Sequence, residues 1–257
     1  MLLMLCAFEI PIINMLYISI TNPSPSLVHY RELFNSPVYL QVLAETFKIA
    51  AITTAVCILL GYPLAYWLTT LSRRAQLIGV TFVILPFWVS ILVRTYAWII
   101  ILGFNGVVNR FLLDTALVGS PIQLIFNTSG VIVGTTHVLL PFMVLPLYAS
   151  MTRFDWQLLR AGTSLGATPG KVFWQIYLPL TVRALAVGVL LVFILSLGFF
   201  VTPAILGGGR VSMVSNVLDM LINQAPQWEL AAALSTLLLV MCLLCFAIYQ
   251  RIGGLDR

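Results

Sequence analysis

The sequence predicts an all-α integral membrane protein with six transmembrane helices. Of its 257 residues, 61% are hydrophobic and only 8% are charged, and the mean hydropathy is +1.05. An average soluble domain carries roughly 25% charged residues, so this composition excludes an ordinary water-soluble fold. A transmembrane helix needs roughly 20 mostly apolar residues. The chain therefore has room for several such helices and for no separate soluble catalytic domain.

Six apolar runs, separated by polar segments and by glycine and proline breakers, define the predicted helices in order. They form a single transmembrane domain over residues 1–257, with spans at about 1–20, 43–71, 77–102, 128–151, 181–206 and 230–249. The first run lacks the basic leader and the small-residue cleavage site of a signal peptide. Prolines at Pro86, Pro141 and Pro146 interrupt spans three and four, and residues 107–117 are expected to form a short amphipathic helix at the membrane surface.

The 13 Lys and Arg residues are dispersed, which argues against a nucleic-acid surface because such a surface needs a clustered basic patch. The loops after spans two and four, together with the C-terminus, hold Arg73, Arg74, Arg153, Arg160, Lys171, Arg183, Arg251 and Arg257. The opposite side holds only Arg31, Arg110 and Arg210. Cytoplasmic loops carry an excess of Lys and Arg. The asymmetry therefore predicts a multi-pass membrane protein with both termini in the cytoplasm and no nucleic-acid partner; for a bacterial chain the membrane would be the inner (plasma) membrane.

Catalytic and metal chemistry finds little support in the sequence. The cysteines Cys6, Cys57, Cys242 and Cys245 lie in apolar runs without metal-ligand spacing to a histidine, and we expect them to be packing or lipid-facing residues. Two scattered histidines offer neither a nucleophile with its base nor a metal set at membrane depth. We therefore expect no catalytic residue, metal or cofactor in this chain, which disfavours a membrane-embedded enzyme. A structural scaffold is disfavoured by the proline-broken spans and by the loop between spans four and five.

That loop, residues 153–180, has the local chemistry of a helix, a turn and a second helix. Asp155 is expected to cap the first helix, and Gly166 to end it in a left-handed conformation. Thr168 is expected to cap the second helix with Pro169 at its first position, and Leu178-Pro179 to end it before span five. The expected apolar faces consist of Leu158, Leu159, Gly162 and Leu165 on the first helix and of Val172, Phe173 and Ile176 on the second.

The small residues Ala161 and Gly162 would let another protein approach the backbone of this hairpin closely. A docking site for a partner is one interpretation, and a hairpin on the membrane surface with no partner is the other. The chemistry of the residues alone leaves both open.

The spacing in this loop resembles a motif of the binding-protein-dependent permeases of ABC importers: Glu-Ala-Ala, three residues, Gly, nine residues, then Ile-x-Leu-Pro. Here Arg160-Ala161-Gly162 is followed after three residues by Gly166 and after nine more by Ile176-Tyr177-Leu178-Pro179. Arg160 and Gly162 replace the Glu and the second Ala of the motif. The resemblance implies the type I ABC importer permease fold, with this loop as the coupling helix that docks in a groove of a cytoplasmic ATPase.

The same resemblance implies roles and partners. The ATPase-coupling residues would be Arg160, Ala161, Gly162, Gly166, Lys171, Ile176, Leu178 and Pro179. ATP and Mg would be bound by the ATPase dimer, in agreement with the lack of the phosphate-binding pattern G-x-x-x-x-G-K-[ST] in this sequence. A second, related permease subunit and a periplasmic substrate-binding protein would complete the importer in the lipid membrane.

Further stretches resemble one branch of that family, the permeases of spermidine/putrescine importers. They are residues 61–66 (GYPLAY), 85–88 (LPFW), 94–98 (RTYAW), 141–146 (PFMVLP) and 200–208 (FVTPAILGG). The resemblance covers nearly the whole chain and implies that the protein forms half of a translocation pathway for polyamines. Permeases for other small solutes, including aminobutyrate and phosphonates, are similar in these stretches, so the same machinery with such a substrate is the alternative.

Passage of a flexible polycation needs carboxylates and aromatic faces along its route. The candidate pathway residues are Glu9, Trp88, Tyr96 and Asp219. Each also has a structural interpretation: Glu9 as a partner for another helix, the aromatic residues as packing, and Asp219 as a solvated loop acid. Arg94 would repel a polyamine if it faced the pathway. It would either pair with an acid of the second permease or favour an anionic substrate such as a phosphonate.

Two local contacts are also expected from the sequence. Glu45 and Lys48 are three residues apart on one helix, so they are expected to pair with each other or to extend toward the membrane interface. His137 is expected to form a hydrogen bond within the helix bundle rather than to act as a ligand or a proton relay.

Overall fold

The computed structural model of the chain describes residues 2–21 and 25–253, except the side chains of residues 2–6, 8, 252 and 253. Residues 22–24, the side chain of Cys6 and Arg257 lie outside this description. Within it, every regular element is helical, which confirms the predicted all-α class.

The helices follow one another with short connections. They are α1 (Leu2–Thr21), α2 (Val28–Asn35), α3 (Pro37–Thr70), α4 (Arg73–Trp88), α5 (Ile91–Leu102), α6 (Val107–Asp114), α7 (Thr128–Met151), α8 (Gln157–Ser164), α9 (Pro169–Val172), α10 (Leu178–Leu197), α11 (Val201–Leu206), α12 (Val214–Asp219) and α13 (Trp228–Gly253). A π-helical turn at Phe173–Tyr177 joins α9 to α10, and a second one at Met220–Gln224 follows α12.

Five helical segments of the described chain are long and apolar enough to cross a membrane. They are Pro37–Thr70, Ile91–Asp114, Thr128–Met151, Pro169–Leu197 and Trp228–Arg251. The shorter apolar segment Glu9–Thr21 belongs to α1. Together with α1, these segments form the six-helix membrane bundle that the sequence predicts.

The long helices α3, α7 and α10 pack together at the centre of the bundle. Met143 of α7 is completely buried in the cluster that they share. Glycines permit the close approach of its neighbours: a Cβ atom at Gly61 on α3 would lie 2.8 Å from Met143 Cγ, and one at Gly188 on α10 would lie 3.4 Å from Met143 Cα. Small residues at such crossings let membrane helices approach closely.

The remaining helices surround this centre. Helix α1 packs along α13, and α2 rests against α13 and α3, with the buried side chain of Leu33 filling the junction. Helix α11 packs against α5 and α7, and α12 lies against α13 and the beginning of α3. The segment between α10 and α13 is therefore held by three sides of the bundle rather than being a simple loop.

Span three, predicted over residues 77–102 with an interruption at Pro86, consists of two separate helices, α4 and α5, with Val89 and Ser90 between them. Pro86 has no N–H group to donate to the preceding turn, so the helical ladder is already broken there. The Val89 N–H then bonds to the Pro86 carbonyl at 3.3 Å, and Val89 is extended (φ −92°, ψ 133°). Pro141 and Pro146 are accommodated inside α7, whose bounds coincide with the predicted range 128–151.

Span five also differs from its predicted range of 181–206. Helix α10 ends at Leu197, and Gly198 begins the bend that separates it from the short helix α11. At the other end, the helical path continues back through the π-helical turn to Pro169.

Three further boundaries are displaced from the sequence-based ranges. Helix α3 begins at Pro37 instead of residue 43, since proline is well suited to the first helical position. Helix α6 ends at Asp114 instead of 117, just before Ala116 adopts a positive φ of 54°. Helix α13 extends beyond the predicted range 230–249 at both ends.

Candidate functional site

The first helix of the hairpin, α8, has both of its predicted terminal signals. The Gln157 backbone N–H donates to Asp155 Oδ1 at 2.9 Å, so Asp155 satisfies one of the free donors at the start of the helix. At the other end, Gly166 has a φ of +84°, and the Ala167 N–H donates to the Gly162 carbonyl at 3.1 Å. This is the bonding pattern of a helix that ends at a left-handed glycine.

The two arms of the hairpin cross at Gly162, which is buried. A Cβ atom at this position would lie 2.7 Å from Ile176 Cδ1 and 3.4 Å from Val172 Cγ2. Val172 is buried and Ile176 is half-buried, so both pack toward the α8 backbone as the predicted apolar face requires. The glycine therefore sets the distance between the arms.

The second arm differs from its prediction in two ways. Thr168 precedes α9 with Pro169 at the first position, but its side chain makes no capping hydrogen bond. Leu178-Pro179 does not end the helix: the Leu178 N–H reaches back five residues to the Phe173 carbonyl, and α10 follows without a break. Pro179 lies at the start of α10, where a missing N–H costs little. The hairpin arm and span five are consequently one helical rod, Pro169–Leu197.

The apolar face predicted for α8 is only partly covered by the chain itself. Leu159 is half-buried, whereas Leu158 is exposed and Leu165 has 89% of its surface exposed. Trp174, on the second arm, is 68% exposed. The motif positions Arg160, Ala161, Lys171 and Pro179 are exposed and Leu178 is half-buried. The outer surface of the hairpin is thus apolar with basic side chains beside it.

An aromatic cluster fixes the hairpin to the end of α3. Tyr177 is fully buried, and its ring centroid lies 5.3 Å from that of Tyr66 on α3 and 5.1 Å from that of Phe154. Nearby, the hydroxyl groups of Tyr62 and Thr181 are hydrogen-bonded at 2.8 Å. The sequence analysis did not predict that these residues contact one another. The i, i+4 pairs Tyr62/Tyr66 and Phe173/Tyr177 were the available signal, since such pairs share one helix face.

The four candidate pathway residues lie in different parts of the bundle. Glu9 is exposed on α1, Trp88 ends α4 with 86% of its surface exposed, and Tyr96 on α5 is 57% exposed. Asp219 ends α12, is half-buried, and accepts a hydrogen bond from Asn223 Nδ2 at 2.8 Å. In the part of the chain that the structure describes, no hydrogen bond or ring contact joins any two of the four.

Two predicted local contacts are confirmed. Lys48 Nζ lies 3.1 Å from Glu45 Oε1 in an exposed ion pair. Trp98 Nε1 donates to His137 Nδ1 at 3.1 Å, so His137 is hydrogen-bonded within the bundle, between α5 and α7. Arg94, one helical turn before Trp98, is half-buried, and its Nε and Nη1 atoms have no hydrogen-bond acceptor among the described residues.

The segment that carries Asp219 is docked tightly. The Val214 N–H donates to Thr46 Oγ1 on α3 at 3.0 Å, and Ser215 Oγ donates to the Phe199 carbonyl at 2.6 Å. A Cβ atom at Gly134 on α7 would lie 2.7 Å from Thr202 Cγ2 on α11. The segment is therefore a packed part of the membrane domain.

The exposed hairpin continues directly into a membrane-spanning helix of the bundle, an architecture that fits a membrane transport permease. The family model for the binding-protein-dependent transport system inner membrane component matches residues 45–253. The chain belongs to this family and is a multi-pass protein of the inner membrane. Its relatives are transporter permease subunits, so the protein is a transport component and not an enzyme.

Curated relatives and solved structures agree with this assignment. The spermidine/putrescine transport system permease protein PotB of Haemophilus influenzae is 34% identical over 233 residues, which cover 90% of this chain and 81% of the relative. PotB of Escherichia coli is 35% identical over 230 residues, 90% of this chain and 83% of the relative. The fold is similar to that of a bacterial ABC transporter involved in alginate import, with a TM-score of 0.72, 19% identity, and coverage of 98% of this chain and 92% of that one.

Proposed function

We propose that the protein is one of two permease subunits of an ATP-driven importer and forms half of the translocation pathway for the polyamines spermidine and putrescine. Similarity to PotB over 90% of the chain supports the substrate class. The single observation that carries the coupling mechanism is the helical continuity of Pro169–Leu197, which connects the exposed hairpin to the membrane bundle.

The chain needs partners for this role. We expect a cytoplasmic ATPase dimer that binds ATP and Mg, a second related permease subunit, and a periplasmic substrate-binding protein. A structural neighbour, the bacterial alginate ABC transporter, is described in complex with an alginate-bound periplasmic protein, at a TM-score of 0.74 and 18% identity. With the hairpin and both termini on the cytoplasmic side, the excess of basic residues also lies there, as the positive-inside tendency requires.

The hairpin surface has suitable chemistry for docking into the groove of an ATPase. Leu165 and Trp174 would fill apolar pockets, while Arg160 and Lys171 would face acidic groups at the rim. Exposed aromatic residues surrounded by polar side chains are typical of interface hot spots. A membrane-surface hairpin would also expose apolar residues, but it would have no need for the rigid connection to span five.

Motion of the ATPase would pass from the hairpin to two spans at once. The π-helical turn makes α10 a direct extension of the second arm. The edge-to-face contact of Tyr177 with Tyr66, together with the Tyr62–Thr181 hydrogen bond, connects that arm to α3. Because α3 and α10 both pack closely on α7, a displacement of the hairpin would tilt these helices as a unit.

The substrate route would be completed by the second permease, since this chain alone does not bring Glu9, Trp88, Tyr96 and Asp219 together. Carboxylates would balance the charges of a polyamine, and the exposed aromatic rings would offer cation–π faces. These four residues remain predictions for the pathway.

One observation favours a second candidate function. Arg94 is a cation at membrane depth without an acceptor in the described part of the chain, and an anionic solute such as a phosphonate would supply one. The same machinery could then import a phosphonate, or a zwitterion such as aminobutyrate. The substrate experiment below includes both.

The coupling proposal is tested by co-purifying the ATPase with the complete membrane complex. Trp174→Ala should reduce recovery of the ATPase at least about tenfold, the effect of losing an interface hot spot. Trp228→Ala is the matched control, because Trp228 has a similar exposure (57%) at the opposite end of the bundle. Equal ATPase recovery in the two variants would contradict the docking surface.

The substrate proposal is tested with the reconstituted complex and its periplasmic binding protein in vesicles. Radiolabelled putrescine, spermidine, aminobutyrate and a phosphonate are supplied in parallel, with and without ATP. We expect ATP-dependent uptake of the polyamines only. Uptake of the phosphonate without uptake of either polyamine would refute the polyamine assignment and leave the permease assignment intact.

A further inference from the structure

Arg94 lies in a local environment in which the described residues do not provide hydrogen-bond acceptors for its guanidinium group. Its guanidinium group carries five N–H donors, accepts no hydrogen bond and keeps its charge in proteins. Nε and Nη1 are buried and have no acceptor among the described residues. A partly buried cation without a partner is costly, and ionisable groups in membrane helices are usually paired or face water.

The position of Arg94 along the membrane normal follows from its neighbours. Trp98, four residues later on the same face of α5, is hydrogen-bonded to His137 of α7. His137 is nine residues after Thr128 and fourteen before Met151, the two ends of α7. At 1.5 Å per residue, these separations are about 14 Å and about 21 Å. The cluster therefore lies far from both headgroup layers, so a lipid phosphate is unsuited as the counter-charge.

The other members of the cluster add donors instead of acceptors. The Trp98 indole N–H donates to His137 Nδ1, so Nδ1 carries the lone pair and the ring proton is on Nε2. Arg94 and His137 consequently both present N–H groups. A carboxylate is the side chain that accepts such bonds and also neutralises the charge of a guanidinium group.

No acid of the described chain fulfils this role. Glu45 is paired with Lys48, Asp219 accepts from Asn223, and Asp155 accepts from the backbone at the start of α8. None of the described carboxylates contacts Arg94. The missing carboxylate must therefore come from another molecule.

The surface next to Arg94 is uncovered by the helices of this chain. Helix α4 has no buried residue, and α5 has only Thr95 and Leu102. The exposed side of α5 consists of apolar and aromatic residues that are at least half exposed: Leu92, Val93, Tyr96 and Ile100. Lipid or another helix would fit the apolar part, whereas a carboxylate on another helix would satisfy the guanidinium group.

We propose that Arg94, with the Trp98–His137 pair beside it, receives an Asp or Glu side chain from a membrane-spanning helix of the second permease subunit. This inference rests on the proposed function only in requiring a paired permease. The ion pair would neutralise Arg94 and so remove the repulsion that a lone cation would exert on a polyamine. It would also select the partner, because a permease without an acid at this depth would leave Arg94 buried and unpaired.

The test measures assembly of the two permeases, a quantity that does not depend on the substrate. Both subunits are co-expressed with the ATPase, this chain carries the affinity tag, and the second permease is quantified in the purified complex. Arg94→Gln should lower its recovery at least about tenfold, the effect expected from removing one member of a buried charge pair. Recovery of the second permease should be mostly retained with Arg94→Lys. It should be fully retained with Arg110→Gln, because Arg110 is an exposed residue on α6.

Charge reversal identifies the partner residue. Arg94→Glu is combined in turn with replacement of each membrane-embedded acid of the second permease by Arg, and one combination should restore assembly. The charge-reversal experiment also tests the ion pair if Arg94→Gln fails to accumulate. A variant that is only misfolded would not be rescued by a substitution in another chain. Full recovery of the second permease with Arg94→Gln, or rescue by no acid, would overturn the inference. So would normal assembly with altered preference for anionic substrates. Failure of polyamine uptake by the wild-type complex would instead count against the proposed function.

Discussion

Gly162 lies against Ile176 so closely that a single methyl group at position 162 would come within 2.7 Å of Ile176 Cδ1. The contact joins the two arms of the hairpin. Ile176 lies in the π-helical turn through which the second arm continues into span five. Ile176 Cδ1 is the far end of a flexible side chain, so a small intrusion can be relieved by a rotamer change, whereas a large one must separate the arms.

Substitutions of increasing size at Gly162 should therefore show which side-chain volume the contact between the two arms tolerates. Gly162→Ala should change the free energy of unfolding by less than about 1 kcal/mol, whereas Gly162→Leu should destabilise the hairpin by about 1–3 kcal/mol as overpacked sites do. Thermal unfolding and ATPase activity of the complex are measured together. We expect Gly162→Leu to lower the ATP-driven uptake more than the ATPase activity itself. Equal behaviour of the Ala and Leu variants would show that the arms are not in contact.

The burial of Tyr177 leads to a second prediction, in which two substitutions at this position change the free energy of unfolding differently. Its ring is enclosed by Tyr66, Phe154, Trp156 and Phe173, but its hydroxyl oxygen is buried without a hydrogen-bond partner among the described groups. Tyr177→Phe removes an unsatisfied polar atom and should be neutral or slightly stabilising. Tyr177→Ala should cost about 3–5 kcal/mol, as for other buried aromatic residues.

The readouts for Tyr177 are the thermal midpoint of the purified complex and the stimulation of its ATPase activity by the loaded binding protein. Tyr177→Ala should lower both, because it disconnects the hairpin from α3. If Tyr177→Phe proved as damaging as Tyr177→Ala, the hydroxyl group would have a partner that contributes to coupling, and the packing explanation would be wrong.

Glycines at helix crossings give a third prediction with a matched control. A Cβ atom at Gly61 would lie 2.8 Å and 3.3 Å from two Met143 atoms, whereas one at Gly198 would have no neighbour within 4 Å. Gly61→Ala should destabilise the bundle by about 1–3 kcal/mol through overpacking between α3 and α7. Gly198→Ala, at an ordinary negative φ of −91°, should be neutral or stabilise by up to about 1 kcal/mol. Thermal unfolding of the two variants in the same detergent checks the difference, and equal midpoints would contradict it.

Local signals made part of this structure predictable. The caps Asp155 and Gly166 act on neighbouring backbone groups, so their roles could be inferred without knowledge of the rest of the fold. The interruption at Pro86 was predicted and is present, whereas Leu178-Pro179 was expected to end a helix and instead continues it, although both prolines lie in apolar helical runs. Their outcomes differ through the hydrogen bonds available around them, an i+3 bond at Val89 and an i+5 bond at Leu178.

Long-range contacts limited the prediction of the site itself. The motif spacing located the hairpin and its small residues, but the burial of Tyr177 depends on Tyr66, which is more than one hundred positions earlier in the chain. The isolation of Arg94 could be suspected from its apolar surroundings. The absence of a nearby acid in the described chain depends on how the helices pack, because the seven carboxylates before residue 254 are spread along the whole chain.

Asp219 provides the fourth prediction, which concerns substrate affinity. It ends α12 in the docked segment before α13, and its Oδ1 accepts from Asn223 Nδ2. Asp219→Asn keeps the size and an acceptor for Asn223 but removes the charge that would attract a polyamine.

Loss of about 1 kcal/mol, the upper value for a partly exposed charge pair, corresponds to roughly a fivefold rise in the polyamine concentration that gives half-maximal uptake. Uptake is measured in vesicles at saturating binding protein, with Asp114→Asn on α6 as the control for an exposed acid. A half-saturation value equal to that of the wild type would remove Asp219 from the pathway, and the same rise in both variants would indicate a general surface-charge effect.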